Sequence, residues 1–130
     1  MDVQAAARRW ADVWASAWPA GDTGAIEALY ADDAVYRALA FREPHRGLAG
    51  VRRYLDENFG AESAVECWFG EPVVSGDRAA VDWWGTWVEQ GRPLTLAGTT
   101  VLRFDGDAKV IDHRDYWNEV ERHEPPYQGW

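Results

Sequence analysis

Apolar positions in the first eighteen residues recur at helical spacing. Val3, Ala6, Ala7, Trp10, Val13, Trp14, Ala17 and Trp18 fall three or four apart, while Arg8, Arg9 and Asp12 sit off that stripe. Side chains so spaced share one helix face. Val3–Trp18 therefore reads as an amphipathic helix, ended by Pro19 and Gly21. Asp22 is a good N-cap for a short second helix, Thr23–Tyr30, with Ile26, Leu29 and Tyr30 facing inward. Ala34–Arg37 reads as a short strand and Leu39–Arg46 as a loop. A third helix, Leu48–Phe59, puts Leu48, Val51, Tyr54, Leu55 and Phe59 on one side and stops at Gly60.

Beyond Gly60 the pattern is that of strands. Val65–Ser75, Ala79–Glu89, Leu94–Phe104 and Lys109–Asn118 are separated by Gly76-Asp77, by Gln90 to Pro93, and by Asp105-Gly106-Asp107. Four consecutive strands with short polar turns predict an antiparallel meander. With helices ahead of them, the class is α+β in one domain. The tail, Glu119–Trp130, carries Pro125-Pro126 and reads as irregular. In the second of these strands Val81, Trp83 and Trp87 lie on one side, Trp84 and Val88 on the other. Aromatics on both sides predict two covered faces. The helices cover one, and a homodimer through the outer sheet face is expected to cover the other.

The last strand concentrates the candidate chemistry. Ile111, His113, Asp115 and Trp117 alternate onto one face, Val110, Asp112, Arg114 and Tyr116 onto the opposite one. A histidine and a carboxylate between two large apolar groups are placed to enter a dry cavity, where carboxylates become stronger bases. Asp115 is the candidate general base. His113, about 7 Å away along the strand, is its candidate partner acid or orienting donor, without needing to touch it. The plainer alternative is that Asp115 accepts a Trp N–H or pairs with an arginine, Arg37 or Arg42. Trp14, Trp18, Tyr30, Tyr36, Phe59, Trp83 and Trp117 are candidate substrate-binding residues, and Tyr54 could add a hydroxyl. His45 reads as a solvated loop histidine and Cys67 as an inert core thiol.

Composition narrows the partners. The net charge of −9 argues against nucleic acid and anionic membrane surfaces. Nine Trp are many for 130 residues, so some are expected to line a cavity or an interface. The three histidines are far apart and no C-x-x-C occurs, so no metal site is expected. No Gly-rich phosphate loop is present, and no cofactor is expected. The chain leads directly from Met1 into an amphipathic helix and has no membrane-length apolar run, which predicts a cytoplasmic protein.

Four stretches in this order resemble the SnoaL-like branch of the nuclear transport factor 2-like superfamily. They are Ala28–Tyr36 (ALYADDAVY), His45–Leu55 (HRGLAGVRRYL), Gly98–Asp105 (GTTVLRFD) and Ile111–Asn118 (IDHRDYWN). The resemblance implies a curved antiparallel sheet wrapped around N-terminal helices into a cone, with a deep pocket on its concave side. The fold hosts many activities. Ketosteroid isomerases are similar around Asp32-Asp33-Ala34, but Ala38 stands about where their catalytic aspartate falls. Trp10 or Trp14 stands near their tyrosine donor. Limonene-epoxide-hydrolase-like proteins have a catalytic aspartate where Asp115 stands, but their Arg-x-Asp pair has no counterpart in Asp82–Thr86. SnoaL-type cyclases move a proton beside a carbonyl with a pocket aspartate or histidine, a requirement that Asp115 and His113 meet. The expected function is cofactor-free acid/base chemistry (cyclase, isomerase or dehydratase) on a hydrophobic small molecule. The alternatives are a non-catalytic binding protein and an association module.

Overall fold

The computed structural model describes every residue from Met1 to Trp130. Helix α1 spans Val3–Ala20, capped by the Asp2 carboxylate, which accepts from Ala5 N–H at 3.0 Å. It runs through Pro19, two residues beyond the expected end. Pro19 lacks the N–H that would bond the Ala15 carbonyl. That carbonyl accepts instead from the Cys67 thiol, 3.6 Å away. Gly21 at φ 66° closes the helix, a conformation glycine adopts freely.

Helix α2 is only Thr23–Glu27, with Asp22 capping Ala25 N–H at 3.1 Å. The expected helical end at Tyr30 is a correction: Tyr30 opens strand β1, Tyr30–Arg37. The loop expected to run to Arg46 ends in a short strand, β2, His45–Arg46, which pairs with β1. Helix α3 spans Gly47–Ala61. The expected Val65–Ser75 strand is two, β3 (Ser63–Phe69) and β4 (Val73–Ser75). Then follow β5 (Arg78–Glu89), β6 (Arg92–Phe104) and β7 (Val110–Val120). Between β5 and β6 only Gln90 and Gly91 turn, at φ 52° and 73°. Two consecutive positive φ angles make the tight hairpin turn whose twist matches the strands, so Arg92 and Pro93 are strand residues.

The sheet order is β2-β1-β7-β6-β5-β3, with β4 on β5. The meander β5-β6-β7 is antiparallel as expected, but β1 joins β7 in parallel. The sheet is therefore mixed, a correction to the all-antiparallel expectation. It is curved and unclosed, and α1 lies in its concavity. Trp10, Trp14 and Trp18 are all buried there with Ile26, Leu55, Val81 and Leu102.

Alternation along β7 is broken once. Phe104 faces Val110 and Arg103 faces Asp112, so Ile111 is a bulge. The bulge puts Val110 on the buried side, 1% exposed, where strict alternation places it outward.

Part of the outer face, around Trp84 and Thr95, is covered by the chain's own tail. Residues 121–130 fold back over β5 and β6: Trp84 donates to the Glu124 carbonyl at 2.8 Å and Thr95 to the Arg122 carbonyl at 2.6 Å. Tyr127 and Trp130 meet the Trp84 ring edge-on. Trp84, the residue behind the expected dimer face, is thus buried within one chain. No helix is long and apolar enough to cross a membrane.

Candidate functional site

The concave face and the helices enclose a cavity of about 730 Å³. Its walls hold Trp14, Trp18, Tyr36, Phe59, Trp83 and Trp117, all expected there, together with His113 and Asp115. Tyr30, also expected there, is not in the wall. It lies one layer behind, 3% exposed, beneath His113.

Six side chains from five elements form one hydrogen-bonded chain through this region. Trp10 Nε1 lies 3.1 Å from the Tyr30 hydroxyl, and that hydroxyl 2.8 Å from His113 Nδ1. His113 Nε2 lies 2.7 Å from Asp115 Oδ1. Thr100 Oγ1 lies 2.6 Å from the same oxygen, and Trp83 Nε1 donates to Thr100 at 2.9 Å. His113 and Asp115 therefore touch, a contact that the strand spacing alone does not require.

The indole N–H groups donate only, and one arrangement of the remaining protons gives each of them an acceptor. Trp83 donates to Thr100, and Thr100 donates its hydroxyl proton to Asp115. Trp10 donates to Tyr30, Tyr30 donates to His113 Nδ1, and His113 Nε2–H donates to Asp115. Every proton has an acceptor when His113 is neutral and Asp115 is a carboxylate. Both bonds to Asp115 fall on Oδ1, which leaves Oδ2 for a substrate.

Strand pairing explains the convergence. In the β1–β7 register Tyr36 faces His113, and their rings stack at 3.6 Å and 17°. In the β6–β7 register Thr100 faces Asp115. Trp83 sits two residues from Val81, the partner of Thr100, on the same side of β5. Burial holds the phenols of Tyr30, Tyr36 and Tyr54 as neutral hydroxyls, their pKa values raised.

Arg37 does not reach Asp115. It pairs on the outer side with Asp112 at 3.0 Å. His45 is not a solvated loop residue: it packs on Tyr54 with ring centres 4.4 Å apart and lines the cavity, and burial lowers its pKa. Cys67 is the expected inert thiol, pushed up to about 11 by burial.

Two residues of the site were not singled out by sequence reasoning. Thr100 is one, and its only signal is the hairpin register. Glu62 is the other. It follows α3, lines the cavity and accepts Trp18 Nε1–H at 2.8 Å. Burial pushes its carboxyl up to about 7; the Trp18 bond opposes that and Glu89 adds to it. Trp18 reaches Glu62 because residue 85 is glycine: a Cβ there would stand 2.4 Å from the indole. In the same wall, Trp14 Nε1–H is buried without an acceptor in the chain.

The fold is shared with proteins of known structure. The epoxide hydrolase/cyclase-like enzyme SalBIII, of pyran ring formation in the polyether salinomycin, superposes with TM-score 0.78 at 19% identity, over 90% of this chain and 93% of that one. RV0760c from Mycobacterium tuberculosis gives 0.75 at 19%, over 92% and 98%. A ketosteroid isomerase-like protein from Catenulispora acidiphila, solved with trimethylamine, gives 0.73 at 20%, over 82% and 83%. Residues 7–113 match the SnoaL-like domain. The chain belongs to the SnoaL-like family.

Proposed function

We propose that this protein is a cofactor-free enzyme that abstracts a proton beside a carbonyl of a largely apolar small molecule, as a cyclase, isomerase or dehydratase must. The observation that carries the reading is the hydrogen-bonded chain that ends on Asp115. Two donors fill Oδ1 and aim the free Oδ2 at the cavity. A carboxylate held in one orientation and removed from bulk water is a positioned general base.

His113 is a positioning residue in this reading. It is 1% exposed and both ring nitrogens are engaged. It fixes the carboxylate, and Tyr30 holds its Nδ1. The proton taken from substrate resides on Asp115 Oδ2 and returns from there to the product. Tyr54, in the cavity wall, is a neutral donor for a developing oxyanion. The aromatic walls exclude water and bind the apolar body.

The test is a thermal-shift panel of apolar ketones, phenols and epoxides, followed by turnover of each ligand found. Asp115→Asn is expected to bind those ligands and to lose turnover. Equal turnover by Asp115→Asn and wild type overturns the assignment. A non-catalytic binder is the reading left if ligands bind and neither protein turns them over.

A further inference from the structure

We propose that the ligand of this cavity carries a positive charge, an ammonium or quaternary ammonium group on an apolar body. The inference rests on the cavity being a small-molecule site, as above, and adds the charge of its occupant.

Six carboxylates line the cavity: Glu43, Glu57, Glu62, Glu89, Asp115 and Glu119. One guanidinium, Arg42, faces them. Glu43, Glu57 and Glu119 are exposed, as befits the rim, whereas Glu62, Glu89 and Asp115 are partly buried. None of the six pairs with a lysine or arginine. The ion pairs of the chain lie elsewhere, at Glu71, Asp112, Glu27, Glu121, Asp77 and Glu124. Asp115 has no lysine or arginine partner and contacts only the His113 imidazole among the basic side chains. The cavity lining is therefore net negative, with Arg42 its one guanidinium and with Glu62, its pKa raised to about 7 by burial, carrying part of its charge in the free protein.

The walls add attraction of the same sign. Trp18 meets Trp14 at 85°, Trp83 at 80° and Trp87 at 57°. Rings at steep angles to one another form an aromatic corner of the cavity wall. An aromatic face is the negative end of its quadrupole, and indole is the strongest cation–π partner. Trp18 also holds Glu62, so one side chain joins the aromatic corner to a carboxylate.

The alternatives are worse matched. A neutral ligand desolvates Glu62, Glu89 and Asp115 and offers them nothing in return. An anionic ligand meets like charge on every side, at low dielectric. A cation replaces the lost hydration of the carboxylates and meets the ring faces, and the net charge of −9 steers it inward.

The experiment compares a charged and a neutral ligand of the same shape by calorimetry on the wild-type protein. The pair is (4-hydroxymethylphenyl)trimethylammonium and 4-tert-butylbenzyl alcohol, with 4-(hydroxymethyl)benzoate as the anion. The ammonium is expected to bind at least about tenfold more tightly than the alcohol at low salt, and benzoate not at all. Added salt should narrow the gap, because exposed rim charges are screened. Glu62→Gln should narrow it as well, by about threefold or more. Alcohol binding as tight as ammonium binding overturns the charge assignment and leaves the proposed function standing. Failure of the ammonium to bind likewise overturns the charge assignment, and the proposed function is judged separately by the ketone, phenol and epoxide panel.

Discussion

His113 Nε2 and Asp115 Oδ1 are 2.7 Å apart, although the two residues are neighbours on one strand face and their backbones are about 7 Å apart. Sheet curvature closes the gap. On a concave face side chains converge, and the imidazole, pinned by Tyr30 behind and Tyr36 above, leans along β7 toward the carboxylate. This contact turns two separate candidates into one oriented base.

Tyr30→Phe removes the hydroxyl between Trp10 and His113. It leaves an indole N–H and an imidazole nitrogen buried without partners, so stability should fall by about 1–3 kcal/mol in urea unfolding. A packing role alone predicts nothing further. The positioning role predicts a change at one ring nitrogen: nitrogen NMR should find the His113 proton on Nε2 in both proteins, held by Asp115, and the Nδ1 resonance moved in Tyr30→Phe by loss of its donor.

Thr100→Val keeps the shape and removes the hydroxyl. Trp83 Nε1–H loses its acceptor and Asp115 loses a donor, with an expected cost of about 1–3 kcal/mol. Thr100→Ser keeps both bonds and should recover most of that loss, whereas a steric role for Thr100 predicts that Val is the better substitute.

Gly85→Ala places a methyl against the Trp18 ring, which must move. Overpacking of this kind costs about 1–3 kcal/mol, and a displaced ring can no longer hold Glu62. Melting temperature and tryptophan emission should both shift. A variant as stable as wild type with unchanged emission would mean that the close approach is not a constraint.

Glu62 makes the free protein sensitive to pH. Its carboxyl titrates at 4.5 ordinarily and at about 7 when folded. A raised carboxyl pKa means that the folded state prefers the protonated form. Its stabilising contribution is full below 4.5 and is lost as pH rises through about 7. Allowing for solvent screening, wild type should lose about 2 kcal/mol more than Glu62→Gln across that window. Parallel urea-unfolding curves for the two proteins over that range would contradict it.

Much of the fold was legible because its signals are local. The Trp10, Trp14, Trp18 stripe marks α1, Asp22 caps α2, and alternation with short polar turns marks β5, β6 and β7. The site was half legible. Alternation along β7 put His113, Asp115 and Trp117 on one face. What no local pattern carries is the parallel pairing of β1 with β7. That pairing brings Tyr30 and Tyr36 to His113, and it turns Tyr30 from a wall residue into a support. The bulge at Ile111, which buries Val110, is equally silent in the sequence. So is the fold-back of the tail that covers Trp84. Glu62 was missed because an isolated glutamate after a helix looks solvated until Trp18 is seen above it.

The most direct test of Asp115 as a base follows deuterium into the carbon beside a carbonyl. Bicyclic ketones, 2-tetralone and its ammonium-bearing derivatives, would be incubated in heavy water with wild type and with Asp115→Asn, and exchange read by proton NMR. The account predicts that wild type accelerates exchange by about 10²–10⁴ over the variant, while calorimetry finds both proteins binding the ketone. Ketones that bind wild type yet exchange no faster than with Asp115→Asn would contradict it.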